Sequence, residues 1–510
     1  MKEGLLLICL TVCLYQPGWS QSVTTNPVSS IKDSLAIRYA NTITEGDLNN
    51  YLSILASDAL EGRDTGSRGQ KMAAAFIREH FKDNRLEPIV IDDQDSSYFQ
   101  TIDLFNNYYQ EVSIEVDGKK YHHLKELAYI GNANIPEPES CILQFVGDGE
   151  EKDYEGLQVK DQMVAFYAGT TEERSRKIKI ARDKGARAFL VMYFETTEEF
   201  DEFLTRNSHI LRSKSVSRES SQAGDNITFL TNPDLLTELL GISQQKLDKA
   251  YQKSGSSSKS TFRKFHREVR LKIEKVSEKF ETENVLGLVE GSDKKEELII
   301  ITAHYDHVGI DGDQIYNGAD DDGSGTAAVM ELAQAFAIAK KNGNGPRRSI
   351  LFMTVTGEEK GLLGSEFYSN NPAWPLKQTV ANLNIDMIGR VDPVHENTDE
   401  YVYIIGSDRL SIDLHNINEE VNKLYTGLEL DYSYNSPDDP NRFYYRSDHY
   451  HFARRNIPII FYFNGTHEDY HQPTDTVDKI RFDLLKKRSD LIFYCAWELA
   501  NREQRIRLNQ

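Results

Sequence analysis

Histidine, aspartate and glutamate recur in short clusters along the second half of this 510-residue sequence. In chain order they are Ala303-His304-Tyr305-Asp306-His307, a loop from Gly318 to Gly325 containing Asp320, Asp321 and Asp322, then Thr356-Gly357-Glu358-Glu359, Asn384-Ile385-Asp386-Met387, and Asp469-Tyr470-His471. Imidazoles mixed with carboxylates suit zinc. A set of this size with one bridging carboxylate can hold two ions about 3.5–4 Å apart, an arrangement suited to hydrolysis. Singly, each cluster has a plainer explanation: a hydrogen-bonded His-x-Asp pair, a solvated acidic turn, a helix face carrying two glutamates. The chemistry depends on all of them arriving at one place.

Such convergence needs a scaffold, and the hydropathy pattern supplies one. Strand-like runs at Leu298–Thr302, Ser349–Thr354, Thr379–Ile385, Tyr401–Ile405 and Pro458–Phe463 alternate with helical patterns at Gly325–Lys340, Leu362–Tyr368, Ser411–Leu424 and Phe482 to about Arg502. This alternation predicts an α/β fold, a mostly parallel or mixed central sheet flanked by helices, with its chemistry in loops at the carboxyl ends of the strands. Nearly every metal-ligand cluster falls at such an end. Further upstream, Asp47–Leu55 and Gln70–Phe81 read as helices around the glycine-punctuated loop Leu60–Ser67. From about Asn106 to Phe229 the pattern changes to short strand-like runs, such as Val112–Val116 and Met163–Tyr167, with a helix at Glu172–Asp183. That stretch reads as an inserted, β-rich module. Ser254–Ser260 is nearly all Ser, Gly and Lys and reads as a flexible connection.

In combination the clusters resemble the co-catalytic two-zinc peptidase family that includes bacterial leucyl aminopeptidases and glutamate carboxypeptidases, over residues 45–105 and 280–500. The resemblance implies a zinc aminopeptidase-like fold, peptide substrates and two Zn²⁺ ions. Carried over residue by residue, it implies that His304 and Asp386 bind one ion, that Glu359 and His471 bind the other, and that Asp320 bridges them. Glu358 would be the general base for a water activated between the two ions. Asp306 would orient the His304 imidazole, and Tyr470 would stand where some relatives donate a hydrogen bond to the tetrahedral intermediate. Arg446-Ser447-Asp448-His449-Tyr450 resembles a segment near the active site, while His307, His449 and His451 stay outside the expected ligand set. The inserted module, through Lys160-Asp161-Gln162-Met163-Val164 and Ala181–Ala188, resembles a protease-associated domain. The expected organisation is a signal peptide at 1–20, the first part of the peptidase domain at 21–105, the insert and linker at 106–270, and the catalytic domain at 271–510. The implied activity is that of an exopeptidase, foremost an aminopeptidase. The alternatives are a carboxypeptidase or dipeptidase of the same family, or a non-catalytic receptor-like protein on the same fold. Arg442 and Arg446 keep the carboxypeptidase alternative open, since such relatives hold a terminal carboxylate with arginines.

Composition narrows the remaining classes. A net charge of −21 argues against nucleic-acid binding, which needs Lys and Arg to neutralise phosphates. The apolar run Leu5–Tyr15 followed by Gly18-Trp19-Ser20 reads as an export leader, too short to span a bilayer, and no later segment reads as a membrane span. Beyond that leader only Cys141 and Cys495 remain, too few for a disulfide framework or a cysteine-rich metal site. A rival pattern, His467-Glu468-Asp469-Tyr470-His471, matches the H-E-x-x-H spacing of single-zinc endopeptidases, which requires both histidines on one helix. Gly465 and Pro473 bracket it, leaving no room for a helix, so His467 is expected in a loop. Nothing in the sequence speaks to oligomeric state.

Overall fold

The computed structural model describes residue 28 and residues 31–509, apart from 93–94, 213–214, 221–222, 255–261 and 397. The apolar leader, and the Ser254–Ser260 connection beyond Ser254, lie outside the described residues.

Four strands carry the chemistry-bearing segments. Arg348–Val355, Lys294–His304, Thr379–Ile385 and Ile459–Phe463 lie side by side in that order and all run parallel. Their near-continuous apolar sequences suit strands covered on both faces. The pleat sorts them: Ile299 and Ile301 face one core with Phe352, while Leu298 and Ile300 face another with Leu351 and Met353. The first core is closed by the helices Glu45–Leu55, Arg68–Asp83, Gly325–Lys341 and Phe482–Asn501. Tyr368 from Leu363–Asn370 and Phe452 from His449–Ala453 close the second. Each fully buried Ile or Leu contributes about 1.5–3 kcal/mol, which makes the sheet centre a stiff platform. Antiparallel neighbours His266–Val289 and Tyr401–Ile405 flank the parallel set, so the sheet is mixed and, in this half, mostly parallel.

Two very long strands were not visible in the hydropathy pattern. Phe99–Val116 and His266–Val289 pair antiparallel along nearly their whole length and run unbroken through residues 106 and 270. The polar run Asn106-Asn107 masks the alternation in the first of them, and pairing with His266–Val289 on one side and Ser215–Ser217 on the other keeps it extended. Between them the chain builds a parallel array of Ile135–Phe145, Met163–Tyr167, Ala188–Met192 and Ile227–Thr231. This array has hydrophobic clusters of its own, including Leu143, Phe145 and Phe229 on one side and Val164, Phe166 and Phe189 on the other. Cys141 and Cys495 are both free thiols. Among the described residues no helix is long and apolar enough to cross a membrane.

Helix limits shift slightly from the expected ones for local reasons. The helix beginning at Ile412 ends at Val421 and gives way to a wider turn at Asn422–Thr426, closed by Gly427 at φ 64°. That left-handed position suits glycine, which lacks the Cβ that would clash.

The helix Gly325–Lys341 carries a buried acid, Glu331, whose Oε1 accepts the Thr44 N–H at 3.3 Å. Burial pushes its carboxyl up to about 8 from an ordinary value of 4.5. The folded protein therefore holds this proton at pH values where the unfolded chain has released it, and stability falls as pH rises between those two values. Glu331→Gln removes that loss. Its melting temperature should exceed the wild type's at pH 8, by the equivalent of about 2 kcal/mol, and should not do so at pH 4.5. Thermal unfolding at the two pH values checks this.

Candidate metal centre

The parallel strands deliver their ends to one edge. His304 ends Lys294–His304, Glu358 and Glu359 follow Arg348–Val355, Asp386 follows Thr379–Ile385, and the turn holding His471 follows Ile459–Phe463. The acidic loop at 319–324 and its helix return to the same place. His304 Nε2 lies 3.2 Å from Asp321 Oδ1, 3.6 Å from Asp386 Oδ1 and 4.0 Å from Glu358 Oε2. His471 Nε2 lies 3.0 Å from Asp321 Oδ2 and 3.2 Å from Glu359 Oε2. The two oxygens of Asp321 thus face different imidazoles and join the cluster into one.

This corrects the expected place of Asp320. Its carboxylate is turned away: Oδ1 accepts from Ser324 Oγ at 2.9 Å and from the Gly389 N–H at 2.7 Å, and Oδ2 lies 3.2 Å from His467 Nε2. Asp322 is occupied as well, accepting the backbone N–H groups of His304, Gly325 and Met387 at 3.2, 2.9 and 3.0 Å. Three consecutive aspartates therefore do three jobs, and only the middle one presents both oxygens to the histidines. The backbone dictates this. Asp321 and Asp322 leave helical geometry at φ −100°, ψ 101° and φ −114°, ψ 49°, which no pattern of residue types announces. His467 sits in a non-helical segment, buried against Asp320, so the H-E-x-x-H reading has no helix to act on.

The supporting contacts also differ in detail from expectation. His304 Nδ1 donates to the backbone carbonyl of Asp306 at 3.0 Å, leaving Nε2 as the free lone pair aimed into the cluster. The Asp306 carboxylate is 3.9 Å from that ring and is used elsewhere. It accepts the Thr65 hydroxyl at 2.7 Å and the Glu358 N–H at 3.2 Å, propping the loop that carries both glutamates. Ser447 donates to Asp386 Oδ2 at 2.7 Å. Asp475 accepts the N–H groups of Asp320 and Asp321 at 2.9 and 3.2 Å. Buried Arg63 donates to the carbonyls of Tyr305, Asn317 and Gly318 at 2.9, 2.7 and 2.9 Å, tying the strand end to the acidic loop.

His307, left out of the expected ligand set, is in the cluster. Its Nδ1 is 3.0 Å from Glu359 Oε1 and 3.8 Å from Asp321 Oδ2. Gly318 permits this: a Cβ there would stand 2.5 Å from the His307 ring. The Ala303–His307 cluster held the signal for it, since a second imidazole three residues after His304 can meet a different part of the same site. Tyr470 stacks on His471 with ring centroids 4.0 Å apart.

Electrostatically the centre is a set of buried acids balanced by imidazoles. Burial raises Glu358 well above the ordinary carboxylate value, offset in part by His304 and reinforced by Asp386 and Glu359. Burial and Asp321 oppose ionisation of Glu359, but His307 and His471 prevail and hold it at about 2. Burial would depress His471, yet contact with Asp321 and Glu359 pushes it up to about 10. Several buried atoms, namely Asp321 Oδ2, Glu359 Oε1 and both ring nitrogens of His307, have no hydrogen-bond partner of proper geometry. Short distances with unsuitable angles are what donors aimed at a common interior point produce. The donor set, oxygens and imidazole nitrogens with excess negative charge, fits divalent cations of the zinc kind. Two groupings satisfy that test, His304 with Asp322 and Asp386, and His307 with Asp321 and Glu359; in the first, the oxygens of Asp322 are the ones already taken by backbone N–H groups.

A mixed sheet with two adjoining candidate metal sites at its carboxyl edge defines the class. Residues 284–496 match Peptidase family M28. The chain is 27% identical over 236 residues to a probable leucine aminopeptidase of Arthroderma otae, covering 45% of this chain and 61% of that one. It is 25% identical over 238 residues to aminopeptidase YwaD of Bacillus subtilis, covering 44% and 46%. The chain thus spans less than two thirds of the length of these relatives. Among solved structures, an aminopeptidase from Aneurinibacillus sp. strain AM-1 superposes with a TM-score of 0.53 at 18% identity, covering 92% of this chain and 97% of that one. BSAP, a zinc aminopeptidase from Bacillus subtilis, gives 0.52 at 18% identity, covering 91% and 98%. At that identity the two establish likeness of fold.

The distinction between Asp320 and Asp321 is testable by the same chemical change at adjacent positions. Asp321→Asn should weaken zinc affinity by more than about 100-fold, whereas Asp320→Asn should stay within about tenfold of wild type. Competition with a chromogenic chelator and elemental analysis after dialysis measure both.

Proposed function

We propose that this protein is a two-zinc exopeptidase, and specifically an aminopeptidase. The observation that carries the reading is the Asp321 carboxylate, whose two oxygens face His304 and His471, with Glu358 beside it. In this reading His304, Asp386 and Asp321 hold one ion, and Glu359, His471 and Asp321 the other, with His307 orienting Glu359. Bound zinc would supply Lewis acidity, making water a stronger acid and a scissile carbonyl a better electrophile.

The chain's own groups do the rest. Glu358 lines the cleft with Asp321, Asp386 and Tyr470, and its main chain is fixed through Asp306. Its raised proton affinity suits a group that takes a proton from the attacking water and returns it to the leaving amine. Tyr470 keeps its phenolic proton, because burial first and then Asp321, Glu359 and Asp386 disfavour phenolate. It is therefore a donor available to an oxyanion developing beside His471. The carboxylates around the cleft favour a positively charged amino terminus over an incoming anion, which supports the aminopeptidase direction together with the aminopeptidases among the relatives. In the same reading, the array between the two long strands is the protease-associated domain.

Two measurements test the proposal. Glu358→Gln should retain two zinc ions and lose turnover by about 10²- to 10⁴-fold; full activity in that variant contradicts the role assigned to Glu358. A panel of peptides with free and acetylated amino termini should be cleaved only when the amine is free. Cleavage restricted to acetylated peptides would overturn the aminopeptidase direction and leave the hydrolase reading standing.

A further inference from the structure

Two short helices that begin at the metal centre end together at a second, polar cleft. Leu363–Asn370 follows the loop of Glu358 and Glu359, with the Leu362 N–H bonded to the Glu358 carbonyl at 2.9 Å. His449–Ala453 follows Ser447, whose hydroxyl holds Asp386. The two helices pack through Tyr368 and Phe452, with ring centroids 5.9 Å apart. Beside that contact a cleft of about 160 Å³ is lined by Glu366, Ser369 and Asn370 from the first helix and by His451, Arg454 and Arg455 from the second. Each trio has the i, i+3, i+4 spacing that puts side chains on one helical face. Arg454, just past the second helix, keeps helical angles at φ −61°, ψ −19°.

The trio of the second helix is a set of donors short of acceptors. His451 is 8% exposed, and among the described residues neither of its ring nitrogens has a hydrogen-bond partner. Burial pulls its proton affinity down to about 4, so near neutral pH the ring is uncharged and offers one N–H. The Arg454 guanidinium makes no hydrogen bond or ion pair among the described residues and stands 5.7 Å from the Tyr450 ring. Arg455 donates once, to Asn370 Oδ1. Across the cleft Glu366 is the only acid in the lining, and its carboxylate is countered by Arg218 at 3.8 Å. Two guanidinium groups against one countered carboxylate leave the cleft positive, in a chain whose net charge is −21. Arginines at the end of a helix are explained by its dipole alone. A buried imidazole aimed into the same cleft without a partner is not, since buried polar groups are normally satisfied.

We propose that the cleft between the ends of these helices is a binding site for a small oxyanion, a carboxylate or a phosphate, held by Arg454, Arg455 and the His451 N–H. A planar guanidinium pairs bidentately with such oxygens, and the imidazole, set deeper, fixes the anion between the helices. The site shares no residue with the metal centre and does not depend on the peptidase reading. The anion takes part in binding only, and no bond to it is made or broken. It ties together the far ends of two helices whose near ends adjoin Glu359 and Asp386.

Calorimetric titration of the zinc-loaded full chain with inorganic phosphate and with acetate tests this, in the wild type, Arg454→Gln and Glu366→Gln. The wild type should bind in at least one arm, and the arm with the higher affinity identifies phosphate or carboxylate chemistry. Arg454→Gln should weaken that binding about 10- to 100-fold. Glu366→Gln, which removes the opposing charge, should strengthen it about threefold. Equal affinities in all three proteins overturn the proposal, because the anion then sits elsewhere, the zinc ions included. No binding of either anion up to about 10 mM overturns it too, as does equal weakening by both substitutions, which marks a general loss of packing between the helices. A measurement on the wild type needs no substitution: the nitrogen resonances of His451, followed with nitrogen-labelled histidine, should shift as the anion is added. Resonances that stay in place at saturating anion refute the site.

Discussion

The whole architecture answers to the repulsion among carboxylates crowded into one buried place. Asp321, Glu358, Glu359 and Asp386 converge, with Asp306, Asp320, Asp322, Asp448 and Asp475 buried around them. Taking a charged carboxylate out of water costs several kcal/mol unless it is paired or hydrogen-bonded. Asp448 apart, whose two buried oxygens have no hydrogen-bond partner, the surrounding acids are placed to avoid that cost. Asp322 collects three backbone N–H groups, Asp475 collects two, and Asp306 takes a hydroxyl and an N–H. What is left incompletely satisfied besides Asp448 is the inner set, whose carboxylate oxygens point at one another and at the imidazoles. A divalent cation would relieve that residual repulsion, so the geometry of the acids is suited to holding one.

Holding such a set requires rigidity, which the sheet supplies. Four parallel strands ending together present ligands from segments far apart in the chain, and their interiors are buried on both faces, so the ends have little freedom to diverge. The last adjustment is made by the backbone itself. Met387, directly after Asp386, and His471 adopt left-handed conformations at φ 58° and 54°, each costing on the order of 1–3 kcal/mol for a residue with a Cβ. Packing and hydrogen bonding impose them, and the return is that Asp386 and His471 aim inward. Arg63 acts in the same sense from the opposite side by gathering carbonyls of the strand end and the acidic loop.

The rim of the cleft follows a different logic from its floor. The floor is ionic and tightly bonded, while the wall is aromatic, with Phe443, Phe461, Phe463 and Tyr470, and carries Arg446 at its edge. In the proposed reading the ionic floor acts on a peptide bond whatever the neighbouring side chains are. In that reading, discrimination between substrates falls to the wall.

The fold class was legible because period and composition are local properties. Runs such as Leu298 to Thr302, bounded by helical patterns, state that they are buried parallel strands, and the types His304, Glu358, Glu359, Asp386 and His471 at strand ends state that they face one edge. Glu358 and Glu359 sit together there, and the bracketing glycine and proline excluded a helix at His467. The sequence was silent where the outcome depended on backbone direction. Asp320, Asp321 and Asp322 are chemically identical, and only the turn of the loop in three dimensions decides which of them faces the histidines and which two are absorbed by backbone N–H groups and Ser324. The same holds for His304, oriented by a carbonyl of Asp306 and not by its carboxylate, for His307, admitted to the cluster by the bare Cα of Gly318, and for Phe99–Val116, kept extended by its partner strands. Residue types and their spacing determined which groups could serve; the tertiary structure decided which do, because a side chain's direction is set by contacts with segments that lie far from it in the chain.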